Sequence, residues 1–226
     1  MMHIAVFGSS GFLGGHIVGL LAKNDFSVTQ VSTSSPNAIN PGKSGWTDEI
    51  KTRGRLDGIV WAQGLNAKDS VLTTAPEGLA NMLEANVTFI SRTLKELHDS
   101  ESLNNPCRGV VISSIWQDLS RPEKFSYSVS KSALLGLVNS IAIDMAPKGF
   151  SINSVLPGVV DSPMTRANLS AGSINKFCAD TPGGKLVTGD EIANVVSFLL
   201  GPNSRGINSQ SIVVDHGWSK ARYVDN

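Results

Sequence analysis

Short β-branched runs alternate with longer amphipathic stretches along this chain, and that alternation predicts an α/β fold: a doubly wound parallel sheet of six to seven strands with helices on both faces. Two observations support it. The first apolar run passes directly into a glycine-rich turn and then a helical pattern, the strand–turn–helix start of a βαβ unit. At 226 residues the chain is also long enough to bury one sizeable core, so a single domain spanning 1–226 is expected.

The elements follow in order. Strands are expected near His3–Phe7, Ser27–Val31, Asp57–Trp61, Gly109–Ser113, Ser151–Val155 and Ser211–Val214. Helices are expected from about Gly11 to Lys23, Pro76 to Asp99, Lys124 to Pro147 and Gly189 to Leu200. Their apolar residues recur at three- and four-residue steps, as in Leu79, Met82, Leu83 and Val87. Between the second and third strands the prolines and glycines of residues 32–46 break any long helix, so this crossover reads as abbreviated. Residues Pro157 to Thr188 form a second loop-rich segment with one short helix, suited to a flap over a ligand.

Composition narrows the class of ligand. A formal net charge of zero gives no electrostatic reason to expect nucleic acid or an anionic membrane surface. Runs such as Ile17 to Ala22 and Val195 to Leu200 fall short of the roughly 20 apolar residues a bilayer crossing needs. No secretory signal is visible at the N-terminus, and Cys107 and Cys178 lack the number and spacing of a disulfide framework or metal site. The expectation is a cytoplasmic protein with reduced thiols, no metal and a small-molecule ligand.

The turn Gly8-Ser9-Ser10-Gly11-Phe12-Leu13-Gly14 has the spacing Gly-x-x-Gly-x-x-Gly. Glycine lets the backbone approach a pyrophosphate closely, and the free N–H groups at the following helix start favour an anion. An acidic residue ending the second strand would favour NAD; Ser32, Thr33, Ser34 and Ser35 stand there instead. These are neutral donors able to hold a 2′-phosphate, with Lys43 as a nearby cation, or else ordinary turn residues. NADP(H) is favoured on this reading, with NAD(H) the alternative.

Tyr127 and Lys131 lie four residues apart in the longest helical pattern, hence on one face. An adjacent ammonium is expected to lower the phenol's pKa from near 10 toward the working pH, making it a usable acid and base. Ser114 ends the apolar strand Val110-Val-Ile-Ser-Ser114, at the edge where open parallel sheets bind ligands, and could polarise a carbonyl there.

Ile112-Ser-Ser114 followed by Tyr127-Ser-Val-Ser-Lys131 resembles the active-site segment of the short-chain dehydrogenases/reductases. The resemblance extends to Asn86, twenty-eight residues before Ser114, to Pro157-Gly158-Val-Val160-Asp-Ser162, and to Val213-Val-Asp-His216-Gly217 near the end. It implies a Rossmann-like fold of the shorter, single-domain branch, although the glycine spacing is that of the branch containing epimerases and dehydratases. It also implies a catalytic tetrad of Asn86, Ser114, Tyr127 and Lys131. Tyr127 would exchange the proton, Ser114 would hold the carbonyl oxygen, Lys131 would bind the nicotinamide ribose, and Asn86 would support a water leading to Lys131. Cofactor contacts are implied for Ala62, Gln63 and Gly64, where the family has Asn-Asn-Ala-Gly, for Pro157, Gly158, Val160 and Ser162, and for Trp46 at the adenine edge beside Thr47 and Asp48.

The implied activity is reversible reduction of a ketone or aldehyde by a homodimer or homotetramer. An epimerase or dehydratase, and a non-catalytic dinucleotide sensor, are the alternatives. Trp116 and Phe125 are candidates for the substrate wall, with core or interface packing as the competing reading. His16 and His98 read as structural or surface residues. His216, replacing a family glycine, could approach the site or a subunit contact. Cys178 has no adjacent base that would make it a nucleophile.

Overall fold

The computed structural model describes residues 1–221. In chain order it contains β1 (His3–Phe7), α1 (Phe12–Lys23), β2 (Ser27–Val31), α2 (Trp46–Lys51), β3 (Leu56–Trp61), α3 (Gly78–Leu83), a π turn (Glu84–Thr88), α4 (Phe89–Asp99), β4 (Leu103–Ile112) and α5 (Phe125–Met145). It continues with β5 (Phe150–Pro157), α6 (Pro163–Asn168), α7 (Ala171–Ala179), α8 (Gly189–Leu200) and β6 (Ser211–Val214). The six strands form one all-parallel sheet in the order β2-β1-β3-β4-β5-β6.

Strand periodicity of two sends alternate side chains to opposite faces, and both faces are covered. Ala5 and Phe7 of β1, with Ile59 and Trp61 of β3, pack against Trp46 and Ile50 of α2, Leu94 and Leu97 of α4, and Leu134 and Val138 of α5. Ile4, Val6 and Val60 face the other way, onto Ile17 and Leu21 of α1 and Ile192 and Val196 of α8. The order places β2 and β3 on either side of β1, so the chain reverses its winding direction there. The C-terminal ends of β1 and β3 flank this switch point, where doubly wound sheets bind ligands.

Several elements differ from expectation. β4 begins at Leu103, because a register shift opposite Leu56 and Gly58 absorbs the turn-like Asn104-Asn105-Pro106. The region expected as one helix from Pro76 to Asp99 is interrupted by the π turn around Asn86. The abbreviated crossover contains the short α2, and the flap contains two helices rather than one. Both flap helices carry a readable signal: Ser162 and Ser170 accept hydrogen bonds from the N–H groups of Thr165 and Ser173, as serine N-caps do.

By length and composition, Phe125–Lys148 is apolar enough to cross a bilayer, which the shorter runs considered in the sequence did not suggest. In the fold it is a sheet-covering helix, with Leu134, Val138 and Ala142 fully buried against the strands.

Candidate active site

The glycine turn connects β1 to α1 at the switch point. Gly8 has φ +73°, and a Cβ there would lie 2.6 Å from the backbone nitrogen of Gln63; at Gly14 a Cβ would strike the Gly8 carbonyl. Both positions therefore require glycine. The N–H groups of Gly8 and Ser9 donate to Val31 O at 3.0 and 3.4 Å, tying the turn to the end of β2. Gly11 starts α1 without a side-chain cap and no acidic residue lies in the first turn, so the helix end stays receptive to an anion. Phe12 is exposed and meets His16 with ring centres 4.6 Å apart and planes tilted by 59°, and Leu13 packs toward the α1–α8 core.

Beside this turn the Ser10 hydroxyl lies 2.7 Å from that of Ser32 and 2.8 Å from that of Ser34, and Ser34 N–H donates to Ser32 Oγ at 3.2 Å. Three hydroxyls thus converge where the second strand ends, with Thr33 exposed between them. Trp46 is not at the edge of this pocket. Its indole is buried, meets Phe7 edge-on at 5.8 Å and donates to Glu96 at 2.7 Å, so it belongs to the core.

After β3, Ala62 N–H donates to Phe7 O at 3.0 Å, which sets Gln63 against the glycine turn. Both polar atoms of the Gln63 side chain are buried and unpartnered. A buried amide without partners is destabilising unless a polar group joins it. Gly64 follows, and a Cβ there would lie 3.0 Å from Asn86 Oδ1 and 3.8 Å from Lys131 Nζ. The segment Ala62-Gln63-Gly64 therefore bridges the glycine turn and the polar residues of α5.

Those residues converge beyond the C-terminal end of β4. Ser114 Oγ accepts the Trp116 N–H at 3.3 Å and lies near enough to the Tyr127 phenol to draw its pKa down. Lys131 Nζ donates to Ile112 O at 3.0 Å and lies 5.6 Å from the centre of the Tyr127 ring. Burial pushes Lys131 down to about 8. Burial also raises Tyr127, outweighing the lowering by Ser114. The phenol is thus displaced upward, opposite to the expected lowering, because desolvation of a tyrosinate outweighs its neighbours.

Asn86 sits in the π turn, 1% exposed. Its Oδ1 accepts Leu65 N–H at 2.7 Å, and its Nδ2 donates to Ser130 Oγ at 2.9 Å and Leu65 O at 3.1 Å. Ser130 in turn donates to Tyr127 O at 2.8 Å. The Asn86 side chain is therefore engaged by protein groups and locks the π turn to α5. Ser130 and Leu65 carried no signal in the sequence, since both act only through this long-range contact.

Asp69 is another unheralded participant. Its carboxylate accepts Ser126 N–H at 3.1 Å and its carbonyl accepts Phe125 N–H at 3.1 Å, capping the start of α5 from 57 residues away. Burial alone would raise this carboxyl, but hydrogen bonds from Ser126 hold it below its usual value. Asp69→Ala should lower stability by about 1 kcal/mol, or about 2–4 °C in melting temperature, as lost caps do. A thermal melt that does not move would show that Asp69 is not a stabilising cap.

The remaining expected contacts lie on the β5 side. Pro157 ends β5, Gly158 N–H donates to Val214 O at 2.9 Å, Val160 bridges Val187, and Ser162 caps α6. His216 approaches Glu191 at 3.1 Å, and Glu191 also forms the capping box of α8 with Thr188, so His216 is tied to the start of α8. His16 pairs with Asp190 at 2.8 Å, and His98 faces Lys148 at 3.1 Å. No cluster of three or more His, Cys, Asp or Glu side chains able to hold a metal occurs among the described residues.

A parallel sheet reversing beside a glycine turn, with free backbone donors and a buried unpaired amide facing it, defines a nucleotide-binding α/β protein. The chain belongs to the short-chain dehydrogenase/reductase family and is one of its oxidoreductases: residues 43–219 match the family model described as enoyl-(acyl carrier protein) reductase. It is 26% identical over 216 residues, 95% of this chain and 86% of the other, to a 3-oxoacyl-(acyl-carrier-protein) reductase of Buchnera aphidicola. It is 28% identical over 170 residues, 74% and 68% of the two chains, to 2-(R)-hydroxypropyl-CoM dehydrogenase of Xanthobacter autotrophicus. Among solved structures, Thermoplasma acidophilum aldohexose dehydrogenase shares the fold with TM-score 0.89 and 20% identity, covering 100% of this chain and 96% of that one. An NADPH-bound variant of ElxO shares it with TM-score 0.80 and 22% identity, covering 97% and 99%.

Proposed function

We propose that this chain reduces the carbonyl group of a small molecule to an alcohol with NADPH, through Ser114, Tyr127, Lys131 and Asn86. The observation that carries this reading is the Lys131 ammonium, buried 5.6 Å from the Tyr127 ring and donating to Ile112 O at the end of the strand that leads to Ser114, at the ligand-binding edge of the sheet. Ser114 orients the carbonyl oxygen. Tyr127, kept protonated by burial, gives that oxygen its proton. The nearby Lys131 ammonium stabilises the tyrosinate left behind. Asn86 holds the π turn and Ser130 so that Tyr127 and Lys131 keep their spacing.

The dinucleotide fits the residues present: the glycine turn permits close backbone approach, and the unpaired Gln63 amide would gain polar partners. Gly8, Ser9, Ser10, Gly11, Phe12, Leu13 and Gly14 would hold its pyrophosphate side, and Ala62, Gln63 and Gly64 the adjoining ribose. Lys131 would bind the nicotinamide ribose, with Pro157, Gly158, Val160 and Ser162 closing over the nicotinamide. When bound, the cofactor supplies the hydride that the carbonyl carbon receives.

The convergent hydroxyls of Ser10, Ser32 and Ser34 favour NADPH, because they offer donors to a 2′-phosphate and no carboxylate to repel it. Ser34→Asp should weaken NADPH by tenfold or more and NADH far less, since like charges about 4 Å apart repel by about 1–4 kcal/mol. Titration of cofactor fluorescence measures both affinities; equal weakening of the two would place the 2′-phosphate elsewhere. The chain would work in the cytoplasm as a homo-oligomer, and α5 leaves Val129, Leu135 and Ile143 exposed for such pairing.

The test of the reading is oxidation of NADPH and NADH against a panel of ketones, aldehydes and quinones, and of alcohols in reverse. Substrate-dependent turnover supports a reductase. Tight cofactor retention without net turnover would favour an epimerase, and cofactor binding without reaction a sensor.

A further inference from the structure

Besides Lys131, a second cation stands near the proposed catalytic tyrosine, and a third lies over Trp116. Lys124 Nζ lies 5.4 Å from the centre of the Tyr127 ring. It donates to Asn66 Oδ1 at 2.6 Å and Ala67 O at 3.3 Å, both neutral acceptors. Arg121 is exposed, and its guanidinium lies 5.6 Å over the ring of Trp116. Trp116 donates its backbone N–H to Ser114 Oγ at 3.3 Å, so the ring that carries the arginine belongs to the residue two positions on from the serine of the proposed carbonyl site.

Among the described residues no carboxylate forms an ion pair with either Lys124 or Arg121. Glu123 pairs with Lys68 at 3.3 Å, and Asp69, which does attract Lys124, is directed at the start of α5. Burial and the repulsion of Arg121 both lower the Lys124 pKa, so the two positive charges act on one another. A positive charge left unpaired at the rim of a site attracts and orients an anion, and guanidinium matches carboxylate or phosphate with two parallel N–H donors.

The wall beneath Arg121 is aromatic. Trp116 meets Trp218 at 6.0 Å with planes at 71°, and Trp218 meets Phe177 of the flap helix α7 at 5.7 Å. Trp218 is held there by the turn in which Asp215 accepts the N–H groups of Gly217 and Ser219 at 2.9 and 2.7 Å. A row of aromatic rings thus runs from Trp116, two residues after Ser114, to α7 of the flap, with the Arg121 guanidinium over its first ring.

We propose that the substrate is an anionic carbonyl compound with a flat or apolar body, its carboxylate or phosphate taken by Arg121 and its body laid on Trp116. This rests on the carbonyl-reductase reading and adds the class of substrate to it. A bound dihydronicotinamide would supply the hydride to the carbonyl carbon and Tyr127 the proton to its oxygen, which would leave the anionic alcohol and the oxidised dinucleotide.

The test compares 4-carboxybenzaldehyde with its neutral isostere 4-formylbenzamide, and 4-formylphenyl phosphate with 4-methoxybenzaldehyde, in the native enzyme and Arg121→Gln. The native enzyme should favour at least one anion over its neutral partner by about tenfold or more in kcat/KM, and the variant should reduce that ratio to near one. Whichever anion shows the larger ratio separates a carboxylate from a phosphate preference. Ratios near one in the native enzyme, or a preference surviving Arg121→Gln, would overturn the proposal while leaving the reductase reading intact. Should no aldehyde react, tryptophan fluorescence titrated with terephthalate and with phenyl phosphate decides it. Quenching by either in the native protein that is lost in Arg121→Gln supports the anion site, and no difference removes it.

Discussion

Replacing Tyr127 by phenylalanine should cut carbonyl reduction by about 10²–10⁴-fold while leaving NADPH affinity nearly unchanged, because only the transferable proton is removed. The ring stays, so its contacts with Lys131 and Lys124 persist. Ser114 Oγ still accepts the Trp116 N–H when the phenol disappears. The stability change should therefore be no more than that of one polar contact, about 1 kcal/mol or less. A rate that barely falls would mean that another group, or water, supplies the proton. A rate that falls together with cofactor affinity would mean that Tyr127 acts in binding. Ser114→Ala complements it by removing a donor aimed at the carbonyl oxygen and not the proton itself.

Why these residues were legible in the sequence, and others were not, follows from the range of the interactions. The glycine turn, Tyr127 and Lys131 are local patterns whose geometry is set by strand, turn and helix periodicity. Ser114 was readable because it ends an apolar strand. The π turn at Asn86 was not, since one inserted residue scarcely disturbs the apolar periodicity on either side of it. Trp46 was placed at the pocket edge by its position after the crossover, whereas its partner Glu96 lies 50 residues on and draws it into the core. Asp69 is the same case for function: α5 lacks a capping side chain of its own at Lys124, and the donor-satisfying carboxylate comes from a distant segment. The direction of the tyrosine pKa also escaped the sequence. Adjacency to lysine is a matter of spacing, but desolvation depends on everything folded around the pair.

Lys131 is where stability and activity should pull in opposite directions. Its side chain is buried, with the residue 4% exposed, and burial holds its pKa at about 8 in place of 10.5. Below pH 8 the residue is charged in both folded and unfolded chains, and the folded state carries the full desolvation penalty. Between 8 and 10.5 the unfolded chain binds more protons than the folded one, so stability rises with pH; above 10.5 the penalty is gone. The gap corresponds to about 3 kcal/mol at 1.36 kcal/mol per pH unit, offset by about 1 kcal/mol for the hydrogen bond to Ile112 O. Lys131→Met, which keeps the length of the side chain without its charge, should therefore raise the melting temperature by about 4–8 °C at pH 7. That gain should shrink toward zero as the pH approaches 10.5. The same variant should lose about 10²–10³-fold in reduction, as removal of a charge-stabilising donor does, and bind NADPH more weakly. A variant less stable than the native protein at pH 7 would show that the ammonium is held by stronger contacts than Ile112 O supplies. A more stable variant with full activity would remove Lys131 from the mechanism. The expected pair of effects, a firmer fold and a failing reaction, identifies a charge kept in an unfavourable place for what it does to Tyr127 and to the cofactor.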